Sequence, residues 1–246
     1  MLKIFLIFIS FLNLTYGEIK MTNSKVLIVV TSHSELGDTG IKTGYYLSEV
    51  SHPYLAFKSS GIAVDFASIK GGQSPLDPKS LDLKDTKNKI FFIDEKGKER
   101  LSNTLKLADI NPNHYQAILF AGGHGTMWDF PNSKEISKVS SSIYENGGIV
   151  ASICHGPAAL INIKLSNGKY LIEGKKLTAF SNAEEEAAGL TATMPFLLES
   201  ALLSRGANYF KADLWKENVV VDQRLVTGQN PASAEKVAKQ VIELLQ

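Results

Sequence analysis

Hydrophobic and polar positions along the chain form two alternating patterns. Short runs in which almost every residue is apolar predict strands covered on both faces of a sheet, here residues 25–32, 62–68, 115–125 and 149–153. Longer segments with apolar residues at helical spacing predict helices, here residues 44–61, 133–147, 194–206 and 231–245. This alternation predicts an α/β fold with a mainly parallel central sheet and helices on both faces.

Three further segments complete the predicted architecture. Residues 175–181 predict a strand, and residues 218–228 predict two short strands around a tight turn at Asp222 and Gln223. Residues 70–113 are polar and rich in Lys and Asp, which indicates an inserted, lid-like excursion from the sheet. Pro53 lies inside a helix-like segment, which we expect it to kink or divide.

The N-terminus has the pattern of a secretory signal peptide, residues 1–17. A lysine precedes an apolar core at residues 4–14, and small residues occupy the two key positions before a cut after Gly17. The apolar run is too short for a comfortable membrane span. We therefore expect an exported protein, periplasmic or secreted, with residues 18–246 as a single domain. Two alternatives stay open: a retained hydrophobic anchor, or a cytoplasmic protein translated from Met21.

Composition narrows the functional classes. The chain has 246 residues, 44% of them hydrophobic and 21% charged, so it can bury a substantial core in one domain. A formal net charge of +1 offers no basic surface for nucleic acid and no acidic tail. Cys154 is the single cysteine, so the chain cannot form an internal disulfide, and its thiol calls for another explanation.

Cys154 lies where a predicted strand passes into a predicted helix, and His155 follows it directly. A nucleophile at such a sharp turn is presented at the end of the sheet. The first N–H groups of the helix favour the thiolate, and this placement typically lowers a cysteine pKa from about 8.5 to roughly 3.5–7.5. The alternative is a structural role, because buried free cysteine behaves as a small hydrophobic residue.

Glycines at the end of a neighbouring strand supply the other half of a candidate site. The carboxyl ends of parallel strands meet at one edge of a sheet. Three segments should therefore be neighbours there, namely residues 31–34, 121–126 and 154–157. Gly122 and Gly123 allow close backbone approach to a ligand, and the amides of Gly123 and His155 can form an oxyanion hole.

Three ordered motifs resemble those of a known family: "AGGHGTMWDFP" at 121–131, "SICHGPAAL" at 152–160 and "LVTGQNPASA" at 225–234. Together with "TGYYLSEVSHPYLAFKSSGIAVDFAS", they resemble the ThiJ/PfpI superfamily within the class I glutamine-amidotransferase-like fold. The resemblance is strongest to its branch of heat-shock chaperones and glutathione-independent glyoxalases. It extends from about residue 25 to the C-terminus and implies a flavodoxin-like three-layer sandwich.

The resemblance implies a Cys–His–acid site. Cys154 matches the nucleophile and His155 the base that follows it. Glu49 matches a glutamate that lies beside the sulfur and shares a proton with it. The third member of the triad should follow the strand at 175–181. Three adjacent residues could fill this place, and spacing favours the middle one: Glu184, Glu185 and Glu186.

A metal site is the point at which the sequence departs from some relatives. Longer bacterial chaperones of the family carry a two-histidine, one-carboxylate site near this pocket. His124 and Glu49 match two of those ligands, but Tyr46 occupies the position of the other histidine. Two ligands make a poor site, so no structural or catalytic metal is predicted. Gly122, Gly123 and His124 are instead expected to hold the oxyanion and the substrate.

The resemblance also implies an activity. It is that of a cofactor-free glyoxalase of the D-lactate dehydratase class, which converts methylglyoxal and related 2-oxoaldehydes to 2-hydroxy acids. A homodimer is implied as well, with a small aldehyde as substrate and with neither nucleic acid nor, after signal removal, a membrane as partner. The alternatives are a holdase chaperone or redox stress protein of the same family, and a cysteine peptidase, amidase or deglycase.

Overall fold

A seven-stranded sheet forms the centre of the structure, a computed structural model that describes residues 24–246. The predicted signal peptide and Met21 lie outside the described residues. The strands of the seven-stranded sheet are β1 (Lys25–Val30), β2 (Ala63–Ser68), β3 (Leu105–Lys106), β4 (Ala117–Phe120), β5 (Ile149–Ile153), β8 (Val219–Asp222) and β9 (Leu225–Gly228). Two further strands, β6 (Lys176–Leu177) and β7 (Asn208–Tyr209), form a separate small sheet. The order is β3-β2-β1-β4-β5-β9-β8, parallel except for the β8–β9 hairpin.

Helices cover both faces of this sheet. They are α1 (Leu47–Ser59), α2 (Thr86–Ile93), α3 (Glu95–Ser102), α4 (Thr126–Asp129), α5 (Lys134–Glu145), α6 (Asn182–Ala187), α7 (Leu198–Ser204) and α8 (Ala234–Leu245). The apolar sides of α1 and α8 pack on one face, and those of α5 and α7 on the other. Among the described helices, none is long and apolar enough to cross a membrane. The predicted α/β sandwich is confirmed.

The central strand β1 shows why the apolar runs form buried strands. Val26, Ile28 and Val30 face the layer that contains α1 and α8, whereas Leu27 and Val29 face the layer that contains α5. All five side chains are buried. A strand whose side chains alternate between two covered faces needs an apolar residue at every position.

Several elements differ from the sequence-based expectation. The segment after Cys154 is a 3-10 helix, Gly156–Asn162, rather than an α-helix. Helix α1 runs without a break through Pro53. The strand β6 pairs with β7 outside the main sheet. Residues 70–113 contain α2, α3 and the edge strand β3, and Lys79 of this segment reaches the cleft described below.

The strand order places a crevice at one end of the sheet. The chain passes from β1 to β2 on one side, and β4 then pairs with β1 on the other side. Helices that leave neighbouring strands in opposite directions open a crevice at the carboxyl ends of those strands. The segments that follow β1, β4 and β5 meet at this edge.

Leu119 tests the importance of the central core. It lies on β4 and is fully buried, whereas Leu105 on the edge strand β3 is 45% exposed. We expect Leu119→Ala to lower the free energy of unfolding by about 2–5 kcal/mol, because it leaves a cavity between two packed layers. Leu105→Ala is the matched control and should cost well under about 1 kcal/mol. Urea denaturation measures both, and equal losses would contradict this assignment of the core.

Candidate active site

Cys154 occupies a strained turn at the carboxyl end of β5. Its φ angle is 59°, in the left-handed region that non-glycine residues rarely adopt. The turn is held on both sides, because Cys154 N–H donates to the carbonyl of Gly228 at 2.9 Å and Phe180 N–H donates to the carbonyl of Cys154 at 2.8 Å. This is the backbone geometry expected of a nucleophile at a strand-to-helix turn.

A continuous hydrogen-bonded series runs from the sulfur to a carboxylate. Cys154 Sγ lies 3.3 Å from His155 Nδ1, and His155 Nε2 lies 2.7 Å from Glu185 Oε2. Of the three adjacent glutamates left open by the sequence, Glu185 is therefore the one that bonds to His155. An ionised carboxylate only accepts, so the proton of the neutral imidazole lies on Nε2 and Nδ1 faces the thiol as an acceptor.

Glu185 also forms a hydrogen bond with a second imidazole, that of His124. His124 Nε2 lies 3.1 Å from Glu185 Oε1, and the rings of His124 and His155 are 4.2 Å apart. Burial by itself would raise the pKa of Glu185, but the hydrogen bonds from His124 and His155 outweigh it and lower the pKa to about 2. Burial and the neighbouring His124 lower the pKa of His155. Glu185 is thus ionised and His155 neutral at pH 7.

Glu49 is fully buried on α1 beside the sulfur. Its Oε2 accepts the N–H of Gly122 at 2.8 Å, whereas Oε1 has no hydrogen-bond partner among residues 24–246. Burial raises the pKa of Glu49 to about 8, although the Gly122 N–H acts in the opposite direction. The carboxyl group is therefore protonated at pH 7, and the proton on Oε1 can be shared with the adjacent sulfur.

The pKa of the Cys154 thiol is raised rather than lowered. The residue is 3% exposed, and its burial, the largest cause of the shift, disfavours the thiolate. The expectation of a lowered pKa is wrong for the thiol as it lies in this structure, because the sequence could not show how completely the turn is covered. Cys154 is therefore a neutral thiol at rest, and Nδ1 of the neutral His155 lies next to it as an acceptor.

The two glycines after β4 have different partners. Gly122 N–H is taken by Glu49, and a Cβ on Gly122 would lie 2.7 Å from Glu49 Oε2, so only glycine fits there. Gly123 has a φ angle of 101°, and its N–H, like that of His155, has no hydrogen-bond acceptor among the described residues. The expected oxyanion donors Gly123 and His155 are thus available, whereas the amide of Gly122 is not.

The site opens into a cleft of about 390 Å³. Cys154, His155, His124 and Gly123 line its floor. Its walls include Tyr46, Lys79, Phe180, Leu190, Trp215 and Asn230. The sequence did not identify the aromatic wall of Phe180 and Trp215. The one available signal was a tryptophan in the polar segment "KADLWKEN", residues 211–218.

Comparisons with known proteins agree with this fold and motif set. A family model described as "DJ-1/PfpI family" matches residues 41–244. The chain belongs to the DJ-1/PfpI family. The resemblance to the ThiJ/PfpI superfamily is thereby confirmed.

Members of this family with similar sequences include two yeast proteins. "Glyoxalase 3" of Candida albicans is 34% identical over 229 residues, which cover 89% of this chain and 97% of that protein. "Glutathione-independent glyoxalase HSP31" of Saccharomyces cerevisiae is 35% identical over 237 residues, which cover 92% of this chain and 99% of that protein. The chain therefore matches these relatives over nearly their whole length.

Solved structures give the same picture. The Rapid Encystment Protein 24 kDa of Francisella tularensis is 44% identical with a TM-score of 0.88, covering 91% of this chain and 99% of that one. Glyoxalase III from Candida albicans is 33% identical with a TM-score of 0.85, covering 92% of this chain and 98% of that one. The arrangement of strands and helices is shared by both.

The possible metal ligands that the structure brings together are not the pair His124 and Glu49 that matches the metal site of some relatives. Glu49 Oε2 accepts the N–H of Gly122 in this structure. Among residues 24–246, the ligand atoms of His124, His155 and Glu185 lie within 4.8 Å of one another. The hydrogen bonds between Glu185 and both imidazoles account for this cluster, and the absence of a resident metal stays a prediction.

The raised pKa of Glu49 makes stability depend on pH. The unfolded carboxyl group releases its proton near 4.5, whereas the folded one keeps it until about 8. The contribution of Glu49 is therefore fully present below pH 4.5 and is lost as the pH rises through 8. Relative to Glu49→Gln, we expect wild type to lose roughly 3 kcal/mol of unfolding free energy between about pH 5 and about pH 8.

Urea denaturation at the two pH values gives this double difference. Glu186→Gln, at an exposed neighbour of the triad glutamate, is the control and should follow wild type. If Glu49→Gln and wild type lost the same stability over this range, Glu49 would be ionised in the folded protein.

Proposed function

We propose that this protein is a glutathione-independent glyoxalase of the D-lactate dehydratase class, which converts methylglyoxal and related 2-oxoaldehydes to 2-hydroxy acids. The observation that carries the proposal is the series Cys154–His155–Glu185, with distances of 3.3 Å and 2.7 Å, on the floor of an open cleft. Its support is the similarity, over about nine-tenths of the chain, to relatives named as glyoxalases.

The first step is attack by sulfur on the aldehyde carbon. As the C–S bond forms, His155 Nδ1 removes the thiol proton and passes it to the aldehyde oxygen, which gives a hemithioacetal. Glu185 holds the opposite ring nitrogen, so that the imidazolium formed in transit is stabilised by an adjacent negative charge. The protonated Glu49 donates a hydrogen bond to the sulfur while the thiolate exists.

The second step moves hydrogen between the two carbons. His155 Nδ1 removes the proton from the carbon that carries sulfur, an enediol forms, and a proton is delivered to the neighbouring carbon. The first carbon becomes a thioester carbonyl and the second an alcohol, so one is oxidised as the other is reduced. Water then cleaves the thioester to a 2-hydroxy acid and regenerates the thiol. The electrons balance within the substrate, so the reaction requires neither cofactor nor external oxidant.

Backbone amides stabilise the negative oxygen in these steps. The N–H groups of Gly123 and His155 are the donors, and one such donor is typically worth about 3 kcal/mol in the transition state. His124 Nε2 is occupied by Glu185 Oε1, so Nδ1 is the ring nitrogen that remains to contact the bound substrate.

Cys154→Ala tests this reaction. We expect the rate of lactate formation from methylglyoxal, with no glutathione present, to fall at least about a thousand-fold, because no covalent adduct can form. An enzymatic lactate assay measures the rate, and circular dichroism verifies that the variant is folded. Activity near that of wild type in a folded Cys154→Ala variant would refute the mechanism.

A holdase chaperone is the second candidate, and one observation favours it. The segment between β2 and β4 contains five large apolar side chains that are 40–67% exposed: Leu81, Leu83, Ile90, Ile93 and Leu105. Ile90 and Ile93 are three residues apart on α2, so they share a helix face. Exposed apolar surface of this kind can bind unfolded chains.

Protection of a heat-denatured client protein, followed by light scattering, tests this candidate. We expect Cys154→Ala to keep its protective effect, and the double variant Ile90→Lys/Ile93→Lys to lose most of it, because lysine removes the apolar face. Leu244→Lys, at an exposed apolar residue far along the chain, is the control. Protection that depends on Cys154 and not on α2 would contradict a holdase role for this surface.

A further inference from the structure

Glu184 is a fully buried carboxylate that the reaction above does not use. Five hydrogen bonds converge on it. Oε1 accepts from Trp215 N at 3.0 Å and Asn230 Nδ2 at 2.9 Å. Oε2 accepts from Ser181 N, Ser181 Oγ and Gln229 Nε2, each at 3.0 Å. All five partners are N–H or O–H donors of neutral groups, so this pocket is built for an acceptor with no proton of its own.

The donors come from three separate parts of the chain. Ser181 is the N-cap of α6, Trp215 lies in the connection between β7 and β8, and Gln229 and Asn230 follow β9. The side-chain amides of Gln229 and Asn230 also bind the β7–β8 connection directly. Gln229 Oε1 accepts from Ala212 N at 2.9 Å, and Asn230 Nδ2 donates to the carbonyl of Lys216 at 2.8 Å. Glu184 is the charged group at the centre of these contacts.

Trp215 is the residue whose position depends most on this arrangement. Its φ angle is 63°, and its side chain is 49% exposed, so burial does little to hold it in place. Its ring nevertheless packs on Phe180, with centroids 5.6 Å apart, and Phe180 packs on His155 at 4.4 Å. The hydrogen bond from its backbone N–H to Glu184 fixes a strained residue against the wall of the cleft.

We propose that Glu184 is a positioning residue that holds Trp215 and Asn230 as the wall of the cleft, and that this wall makes the site select 2-oxoaldehydes with an aromatic or large apolar substituent. The selectivity rests on the glyoxalase function proposed above. The cleft of about 390 Å³ is much larger than methylglyoxal requires, and Phe180, Leu190 and Trp215 give it an apolar lining beyond Cys154. Phenylglyoxal carries a ring that can stack on this wall.

Glu184→Gln is a sharp probe because it preserves shape and reverses hydrogen-bonding character. The amide nitrogen of glutamine would face at least two of the five donors, so those contacts are lost or repelled. Phenylglyoxal should show a KM raised roughly ten-fold, the effect of losing a hydrogen bond to a charged group, with kcat changed little. Methylglyoxal has no large substituent to pack on the wall, so its KM should rise much less than that of phenylglyoxal.

Glu186→Gln is the matched control, since Glu186 is the exposed neighbour on the same helix turn. Mandelate and lactate formation give the two sets of kinetic constants. Tryptophan fluorescence supplies a readout independent of activity. Trp215→Phe identifies the emission of Trp215, and Glu184→Gln should shift that emission to the red and increase its quenching by acrylamide.

The outcomes separate the two proposals. An equal loss of kcat on both substrates in Glu184→Gln would mean that the residue acts through Glu185, and would overturn the role in selectivity. Unchanged Trp215 emission would overturn the role in positioning. If Glu184→Gln does not fold, Trp215→Ala decides: an unaltered KM for phenylglyoxal refutes the wall. If wild type forms neither product, the glyoxalase function fails, while the fluorescence result still decides the positioning of Trp215.

Discussion

The hydrogen bond from His155 Nε2 to Glu185 is the interaction on which the site depends. It fixes the tautomer of a buried imidazole, and thereby turns an acceptor nitrogen toward Cys154. Together with the hydrogen bond from His124, it also keeps the Glu185 carboxylate charged in a position where burial alone would favour protonation. Without it, the ring could carry its proton on Nδ1 and meet the thiol with a donor, and the sulfur would have no base.

Burial sets the protonation states of the other two groups in the site. Glu49 and Cys154 lie together in a region that excludes water, so each favours its neutral form. The resting site therefore contains a thiol rather than the expected thiolate, together with a neutral imidazole and a protonated carboxyl group. The carboxyl group can donate a hydrogen bond to the sulfur once negative charge develops there. In the proposed reaction, this arrangement stabilises the charged sulfur more than the resting thiol. Only such preferential stabilisation accelerates a reaction.

The parts of the fold that follow from local pattern could be predicted from the sequence. Fully apolar runs such as residues 26–30 specify a strand covered on both faces, and the order of strands and helices specifies a parallel sheet. The motif around Cys154 predicted the sharp turn, and the structure gives that residue a left-handed backbone. The choice among three adjacent glutamates needed coordinates, because one residue step on a helix turns a side chain by about 100°.

The contacts that could not be predicted join distant segments. Glu184, Gln229 and Asn230 hold Trp215 and its loop at the cleft by hydrogen bonds. The bonded residues are 14 to 31 positions apart in the sequence, and no periodic pattern links them. The raised pKa of Cys154 likewise reflects how completely other elements cover the turn. Local pattern therefore indicated Cys154 as a candidate nucleophile and the family resemblance implied its partners, whereas the environment that tunes them came from long-range packing.

Two successive residues of α6 are directed to different parts of the candidate site. Glu185 is directed to the imidazoles, while Glu184 is directed to the connection that carries Trp215. Ser181 caps the helix through Glu184 in a reciprocal pair, so the same short turn fixes both carboxylates. The imidazole of the proposed base and the proposed wall of the cleft are consequently held from one helix turn, each through its own carboxylate. The proposed wall accounts for a buried carboxylate next to Glu185, because Glu184 holds that wall beside the imidazole.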